Sequence, residues 1–571
     1  MSVLNHGRWR VAAFLLVLAL NGSSYTLYAE NLIESMPVPA FYAIDSNNAL
    51  VNLDDLLGAS TWYNNGVYGQ NTTAWVVDAQ LVGTNLYPAD AISNLGYTYT
   101  SPDAITNSGL HATWCASLLG GYAPTTNGAF YYYNTGIAPL TTLGSAALAT
   151  WINPDGSFAI STSSISAYGY AASHANVIST SIGDSSDTAG AGVLSLVVDS
   201  ASATNPNTTI VAAAGNGGPS AGTVGGPASG YNVISVGALD GPPDYSALAS
   251  FSSVGPQSTA WFDGTNTYLY ENGSATRPGV NLVAPGTSIV VIQSIASNSD
   301  SYYSLDGTSF ATPLVAGGAT LLDSASTYLP SELTNAATQS VVIKAVLLNS
   351  ADKLAGWNNG QQITNGVLTT TQALDYAMGA GELDLTKAFA QYTTSAHVDT
   401  YPGFVITGFS DLIQNEGWGY DTALRGGSNS YQFASELYSG EQIAITLCWL
   451  RDSSWNSAVN SYVDIAQAEL DLMVFRILPG GSDQLVAQSK SPVSTTQELY
   501  YQLPESGNYF LAVDYSTNLF DLSGNYDSQP YGIAWSVSDV PEPCDIFMVA
   551  LGAVFGLLRL RFRRNPSSGL A

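Results

Sequence analysis

Between about residue 70 and residue 392 the chain alternates two kinds of apolar segment. One kind is short and nearly free of polar interruption: TAWVVDA, NVISTSIG, TTIVAAAGN and YNVISVGAL. The other is longer and alanine-rich: LHATWCASLLGG and AGVLSLVVDSASA. The short runs fit strands buried on both faces, and the long ones fit helices. Their alternation predicts an α/β fold, a parallel sheet flanked by helices. After about residue 395 the pattern changes to period-2 runs, EQIAITLCWL, AELDLMVFRIL, YYQLP, GNYFLAVDY and YGIAWSVS. Gly, Pro, Ser and Asn clusters separate them, which predicts a C-terminal antiparallel β-sandwich. No solenoid period or long low-complexity linker interrupts the chain.

Composition narrows the function classes. A length of 571 residues suggests about three domains. Hydrophobic residues make up 46% and charged residues only 10%, against about 25% charged in an average soluble protein. With 14 Lys and Arg against 43 Asp and Glu, the net charge is −29. That argues against nucleic acid or an anionic membrane surface as a partner. The three cysteines, Cys115, Cys448 and Cys544, lie in separate segments and make no disulfide framework.

Both ends read as targeting segments. Arg8 and Arg10 precede the apolar run VAAFLLVLAL, and a polar stretch follows to Ala29. This is the order of a secretory signal peptide, residues 1–29, cut by signal peptidase. At the other end Val540-Pro541-Glu542-Pro543 precedes a membrane-helix candidate at 546–558, then Arg559, Arg561, Arg563 and Arg564. Motif, helix and basic stop in this order resemble the bacterial PEP-CTERM sorting signal over residues 540–571. The resemblance implies an exosortase-type partner and a tail removed on sorting; a permanent anchor is the alternative. Either way the expectation is an exported protein of the cell envelope, cell surface or exterior.

The chemistry centres on DGTSFATPLVAG, residues 306–317. A tight turn at Gly307 and Thr308 delivers Ser309 to the start of a helix, beside unpaired N–H groups that can hold an oxyanion. Pro313 is expected in the first helical turn, where its missing N–H costs nothing. A serine nucleophile needs a base, and the chain has four histidines. His6 lies in the signal peptide, His397 at a domain junction, and His174 in an Ala-rich helix where packing suffices. His111, opening a helix after Gly109, is left. Asp78 ends the apolar run AWVV, where an orienting carboxylate would sit. Asn216 ends VAAAGN and can donate to an oxyanion beside the Ser309 N–H.

The order Asp78, His111, Asn216, Ser309 now stands with WVVDAQLVG, HATWCAS, STSIG, VAAAGNGG, GIAP, VISVGALD, ASFSSVGP, LVAPGTSI and VIKAVLLNSADK. Together they resemble the subtilases, the subtilisin-like serine proteases, from about residue 60 to 392; subtilisin has the same Asp, His, Ser order. The resemblance implies catalytic roles for Asp78, His111 and Ser309 and an oxyanion role for Asn216. It implies that an extended peptide pairs with Ser181, Ile182 and Gly183, and that Ala214 and Gly215 border the side-chain pocket. The chemistry it implies needs no cofactor or metal; structural calcium is left open and unassigned. Ala79, Gln80, Ala112 and Trp114 depart from the family pattern, so a catalytically impaired peptide binder is the alternative to an active endopeptidase. Cys115 falls where some subtilases carry a free cysteine under the histidine, and a buried structural thiol is expected. The short lead-in, residues 30–59, leaves no room for the family's folding propeptide. The peptidase domain is expected over 60–394 and the sandwich over 395–538. The latter resembles pre-peptidase C-terminal domains through LDLMVFRI and GNYFLAVDY. There Glu469 and Asp471 read as solvated strand carboxylates rather than calcium ligands.

Overall fold

The computed structural model describes residues 41–538 apart from 84–91, 93, 123–135, 155, 274–275, 295–300, 395 and 399–411. The signal segment, Cys544 and residues 540–571 lie outside the described residues. Eight strands form the sheet that carries the site. Its strand order is Ala247–Leu248, Ile234–Asp240, Thr209–Ala213, Val177–Thr180, Thr73–Asp78, Thr142–Ala147 and Leu95–Thr100; Leu282–Pro285 also pairs with Ile234–Asp240. Every pairing is parallel except that of Ala247–Leu248. The strands Val177–Thr180 and Thr209–Ala213 are buried at every position, as the unbroken apolar runs predict for a sheet covered on both faces.

The expected helices are present. LHATWCASLLG forms Leu110–Gly120, and residues 193–204 form Val193–Thr204. The serine segment forms the long helix Thr308–Ser326, buried along nearly its whole length. That helix packs on Leu110–Gly120, and Gly317 permits the close fit. A Cβ there would lie 3.0 Å from the Leu119 carbonyl oxygen of helix Leu110–Gly120 and 2.4 Å from Cβ of Ile137. The lead-in is built into this core. Phe41, Leu53 and Leu57 are buried, Ala43 pairs with Ile289, and just past the lead-in the Trp62 indole donates to the Leu385 carbonyl at 2.7 Å.

Beyond residue 395 the chain is β-rich, in two sheets of eight and five strands. Their interior pairings are antiparallel, as in Gln442–Trp449 with Ser528–Ser538 and Ser461–Ile477 with Asn508–Asp521. Three strands join in parallel instead: Val367–Thr370, which carries Gln362–Thr364 on its outer side, and the edge strands Ala396–Val398 and Leu412–Ile413. The first of these comes from before residue 395, so a hairpin at 362–370 completes the later sheet. Leu447, Leu472, Leu511 and Trp535, drawn from both sheets, share one buried cluster.

The peptidase-like and β-rich parts meet across buried surface. Helix Ser340–Asn349 lies on Ser528–Ser538, where Gly532 admits the Val341 carbonyl to 2.4 Å from where a Cβ would be. Asn232 and Arg451 exchange two hydrogen bonds, at 2.7 and 2.8 Å. Arg451 is fully buried, paired with Asp464 at 3.4 Å and stacked on the Tyr231 ring at 3.2 Å. Among the described residues, no helix is long and apolar enough to cross a membrane.

Candidate active site

Asp78 closes strand Thr73–Asp78. Its carboxylate is 3% exposed, so each oxygen needs a partner. Oδ1 accepts the Ala79 N–H at 2.6 Å, and Oδ2 meets His111 Nδ1 at 2.9 Å. The carboxylate can only accept there, which places the imidazole proton on Nδ1 and leaves Nε2 free as a base. Extended backbone at Gly109 starts the helix that carries His111. Gln80 lies against Gly109, with no space for a Cβ between them.

His111 keeps 40% of its side chain exposed. Burial alone would push its pKa down, but the charge of Asp78 and the hydrogen bond to it outweigh this. They hold the imidazole above its ordinary 6.5. His174, by contrast, is exposed beyond its helix Ser166–Ala172 and stacks on Tyr170 at 4.3 Å. His397 lies in strand Ala396–Val398.

Ser309 is the second residue of helix Thr308–Ser326, inside the turn whose N–H groups have no intrahelical acceptor. The structure corrects the expectation for Pro313. It is the sixth helical residue, past the first turn, so its missing N–H deprives the Ser309 carbonyl of its i+4 donor. Two side chains supply the loss: Ser181 Oγ donates to that carbonyl at 3.0 Å and Cys115 Sγ at 3.4 Å. The Ser309 hydroxyl itself donates to the Ser181 carbonyl at 3.1 Å. Among the described residues, no hydrogen bond joins it to His111. Burial, followed by the Asp78 charge, pushes the Cys115 thiol pKa far up. It is a protonated donor, as a structural thiol should be.

Asn216 follows strand Thr209–Ala213. Its Oδ1 accepts both the N–H and the hydroxyl of Thr308, each at 3.0 Å. With the oxygen held, the amide NH2 is the end left to donate. Thr308 is thus a site residue that the sequence reading missed, and an S/T position carries no periodic signal that would have exposed it. Residues 181–183 were expected within a strand. The strand ends at Thr180, and Ser181, Ile182 and Gly183 instead line a cleft of about 210 Å³. Ala214, Gly215, Asn216, Thr308 and Ser309 line the same cleft. Thr223, Gly225 and Ser253 extend its wall. Gly215 sits at φ +110°, where a side chain would be strained; a Cβ there would also meet Ser253 Oγ at 3.0 Å.

Asp78, His111 and Cys115 are the one group of three metal-donor side chains close together among the described residues. They suit a metal poorly, because the carboxylate is committed to His111 and the thiol is held protonated. Asp471 pairs with Lys490 at 3.0 Å, and Glu469 is half-buried beside it on the same strand.

The chain resembles known proteins over part of its length. The profile of the subtilase family matches residues 82–381, more than half of the chain, beginning just past Asp78. Serine protease AprX of Bacillus subtilis is 36% identical over 120 residues, 20% of this chain and 25% of that protein. A thermophilic serine proteinase of Bacillus sp. strain AK1 is 35% identical over 172 residues, 30% and 32% of the two chains. The chain thus spans about a quarter to a third of the length of these curated relatives. A solved protease structure from Pseudoalteromonas arctica aligns with TM-score 0.41 and 18% identity, covering 59% of this chain and 94% of that one. With a family match over residues 82–381, the chain belongs to the subtilase family.

Proposed function

We propose that the protein is an exported serine endopeptidase that cleaves peptide bonds through an acyl-enzyme. The observation that carries the reading is the 2.9 Å bond from His111 Nδ1 to Asp78, which leaves Nε2 as the base for a hydroxyl two residues into a helix. In the reaction His111 Nε2 takes the Ser309 proton as Oγ attacks the substrate carbonyl. Asp78 holds the ring and stabilises the imidazolium. The Asn216 amide and the Ser309 N–H receive the oxyanion. His111 then protonates the leaving amine, and water deacylates the enzyme by the reverse relay. Substrate adds along Ser181, Ile182 and Gly183, with its side chain over Ala214 and Gly215.

The Ser309 hydroxyl faces the Ser181 carbonyl rather than His111. That observation favours the second reading, a surface protein that binds peptides without cleaving them. Under the first reading, substrate binding turns the hydroxyl toward Nε2. Hydrolysis of denatured casein separates the two. The endopeptidase reading requires cleavage by the wild type that disappears in Ser309→Ala and His111→Ala, and casein bound but intact rejects it.

The remaining assignments belong to the same proposal. Residues 1–29 act as signal peptide and 540–571 as a sorting signal met by an exosortase-type enzyme, giving a cell-envelope or extracellular location. Residues 30–59 lead into a peptidase domain over 60–394. Residues 395–538 form a β-sandwich whose two faces are the two sheets; their shared buried cluster supports that reading. No cofactor is needed for the chemistry.

A further inference from the structure

A second cavity lies away from the cleft, where the β-rich part meets the peptidase-like part. It has a volume of about 20 Å³ and is lined by Tyr231, Arg277, Lys344, Thr495 and Thr496 among others. A polar cavity of that size holds one water-sized species and is too small for phosphate or sulfate. Arg277 and Lys344 are each only 6% exposed. Lys344 Nζ donates to the Val233 carbonyl at 2.8 Å, one of its three donor positions. Arg277 donates to the Ser229 carbonyl and stacks on Tyr231 at 4.1 Å. Its buried Nε–H has no partner among the described residues. Among the described residues, neither cation has a carboxylate within ion-pairing distance.

The neighbouring carboxylates are committed elsewhere. Arg451 stacks on the same Tyr231 ring, so three buried cations share this region. Three buried carboxylates lie nearby, each bonded to other groups. Asp187 accepts the Ser195 hydroxyl and the Gly190 N–H. Asp199 accepts the Tyr231 and Asn232 N–H groups, and Asp464 pairs with Arg451. A buried cation without a directly paired counter-charge is costly, and a water in the cavity would supply none. We propose that the cavity binds one monovalent inorganic anion of chloride's size, held by Arg277 and Lys344. Ser494, Thr495 and Thr496 come from the β-rich part, so the anion ties that part to the peptidase-like part. Burial pushes the Lys344 ammonium pKa down; Cys448 and Asp199 offset part of this, and the Arg277 charge adds to it. An anion beside them offsets the burial and the Arg277 repulsion.

The test uses the full chain at constant ionic strength, comparing sodium chloride, sodium bromide and sodium gluconate, whose anion is too large to enter. The expected result is a saturable rise in Tm on the order of 2 °C in either halide over gluconate. Lys344→Met should abolish that difference. Bromide-grown crystals of the wild type should show an anomalous peak between Arg277 and Lys344, a result that stands even if the variant fails to fold. Equal Tm in all three salts overturns the proposal. So does a cavity peak without anomalous signal, which identifies a water.

Discussion

Ser181 and Ser309 are bonded twice: each hydroxyl donates to the other's main-chain carbonyl, at 3.0 and 3.1 Å. The pair couples the segment expected to bind substrate to the residue expected to attack it. The Ser309 carbonyl is available for it because Pro313 supplies no helical N–H.

That arrangement predicts a double-mutant coupling. Ser181→Ala removes one of the two side-chain donors to the Ser309 carbonyl and should cost about 1 kcal/mol of stability. In a Pro313→Ala background the residue-313 N–H can take that carbonyl, so the same change should cost less than half as much. Thermal unfolding of the four proteins measures the difference; equal costs in both backgrounds contradict the account.

Activity should depend on pH through His111. The imidazole must be neutral to act, and its pKa is held above 6.5 by Asp78. The rate should therefore rise with pH through a midpoint above 6.5. Asp78→Asn removes the raising influences and leaves burial, so the midpoint should move below 6.5 while kcat falls on the order of 10⁴-fold. The ion pair's contribution to stability has the opposite trend. It is present in full below the unfolded pKa and is lost as pH rises through the raised folded value. A wild-type midpoint at or below 6.5 in kcat/KM would remove the assigned link.

Asn216 can be dissected by two substitutions. Asn216→Asp keeps an acceptor for Thr308 but loses the NH2 donor; Asn216→Ala loses both. Each should lower kcat about 10² to 10³-fold with a small change in KM, and only Asn216→Ala should also lower Tm. If Asn216→Asp keeps wild-type kcat, the oxyanion role is wrong.

The thiols should be inert in the folded chain. Cys115 and Cys448 are buried, and burial pushes the Cys448 pKa up to about 11. In a Cys544→Ser background, iodoacetamide at pH 8 should label neither until the protein is unfolded. Labelling of folded protein at Cys115 would show that the site opens on its own.

Much of the site was legible because its residues mark the ends of apolar runs. Asp78 closes a strand, Asn216 follows one, and His111 and Ser309 lie at helix starts; local pattern places them, and the subtilase resemblance supplies their expected roles. What local pattern could not give is pairing across distance. Asn232 and Arg451 are 219 positions apart, and nothing in either neighbourhood announces the other. The hairpin at 362–370 reads as part of the first fold, yet Val367–Thr370 completes a sheet built mostly after residue 410. Its parallel pairing departs from the antiparallel expectation because the strand arrives from another region, not from a neighbouring turn. The position of Pro313 was misjudged by a few residues. The helix begins where the sequence places it, and Pro313 lies beyond its first turn; that difference conceals the role of Ser181.

The most direct test of the central claim is the location of a fluorophosphonate adduct. The reagent forms a stable bond with an activated serine and needs no knowledge of the natural substrate. Purified wild-type protein should be labelled at Ser309, as read by mass spectrometry of its peptides. Labelling should vanish in Ser309→Ala and fall on the order of 10⁶-fold in His111→Ala, the scale subtilisin sets for loss of its histidine. Folded wild-type protein that takes up no label at Ser309 would contradict the account.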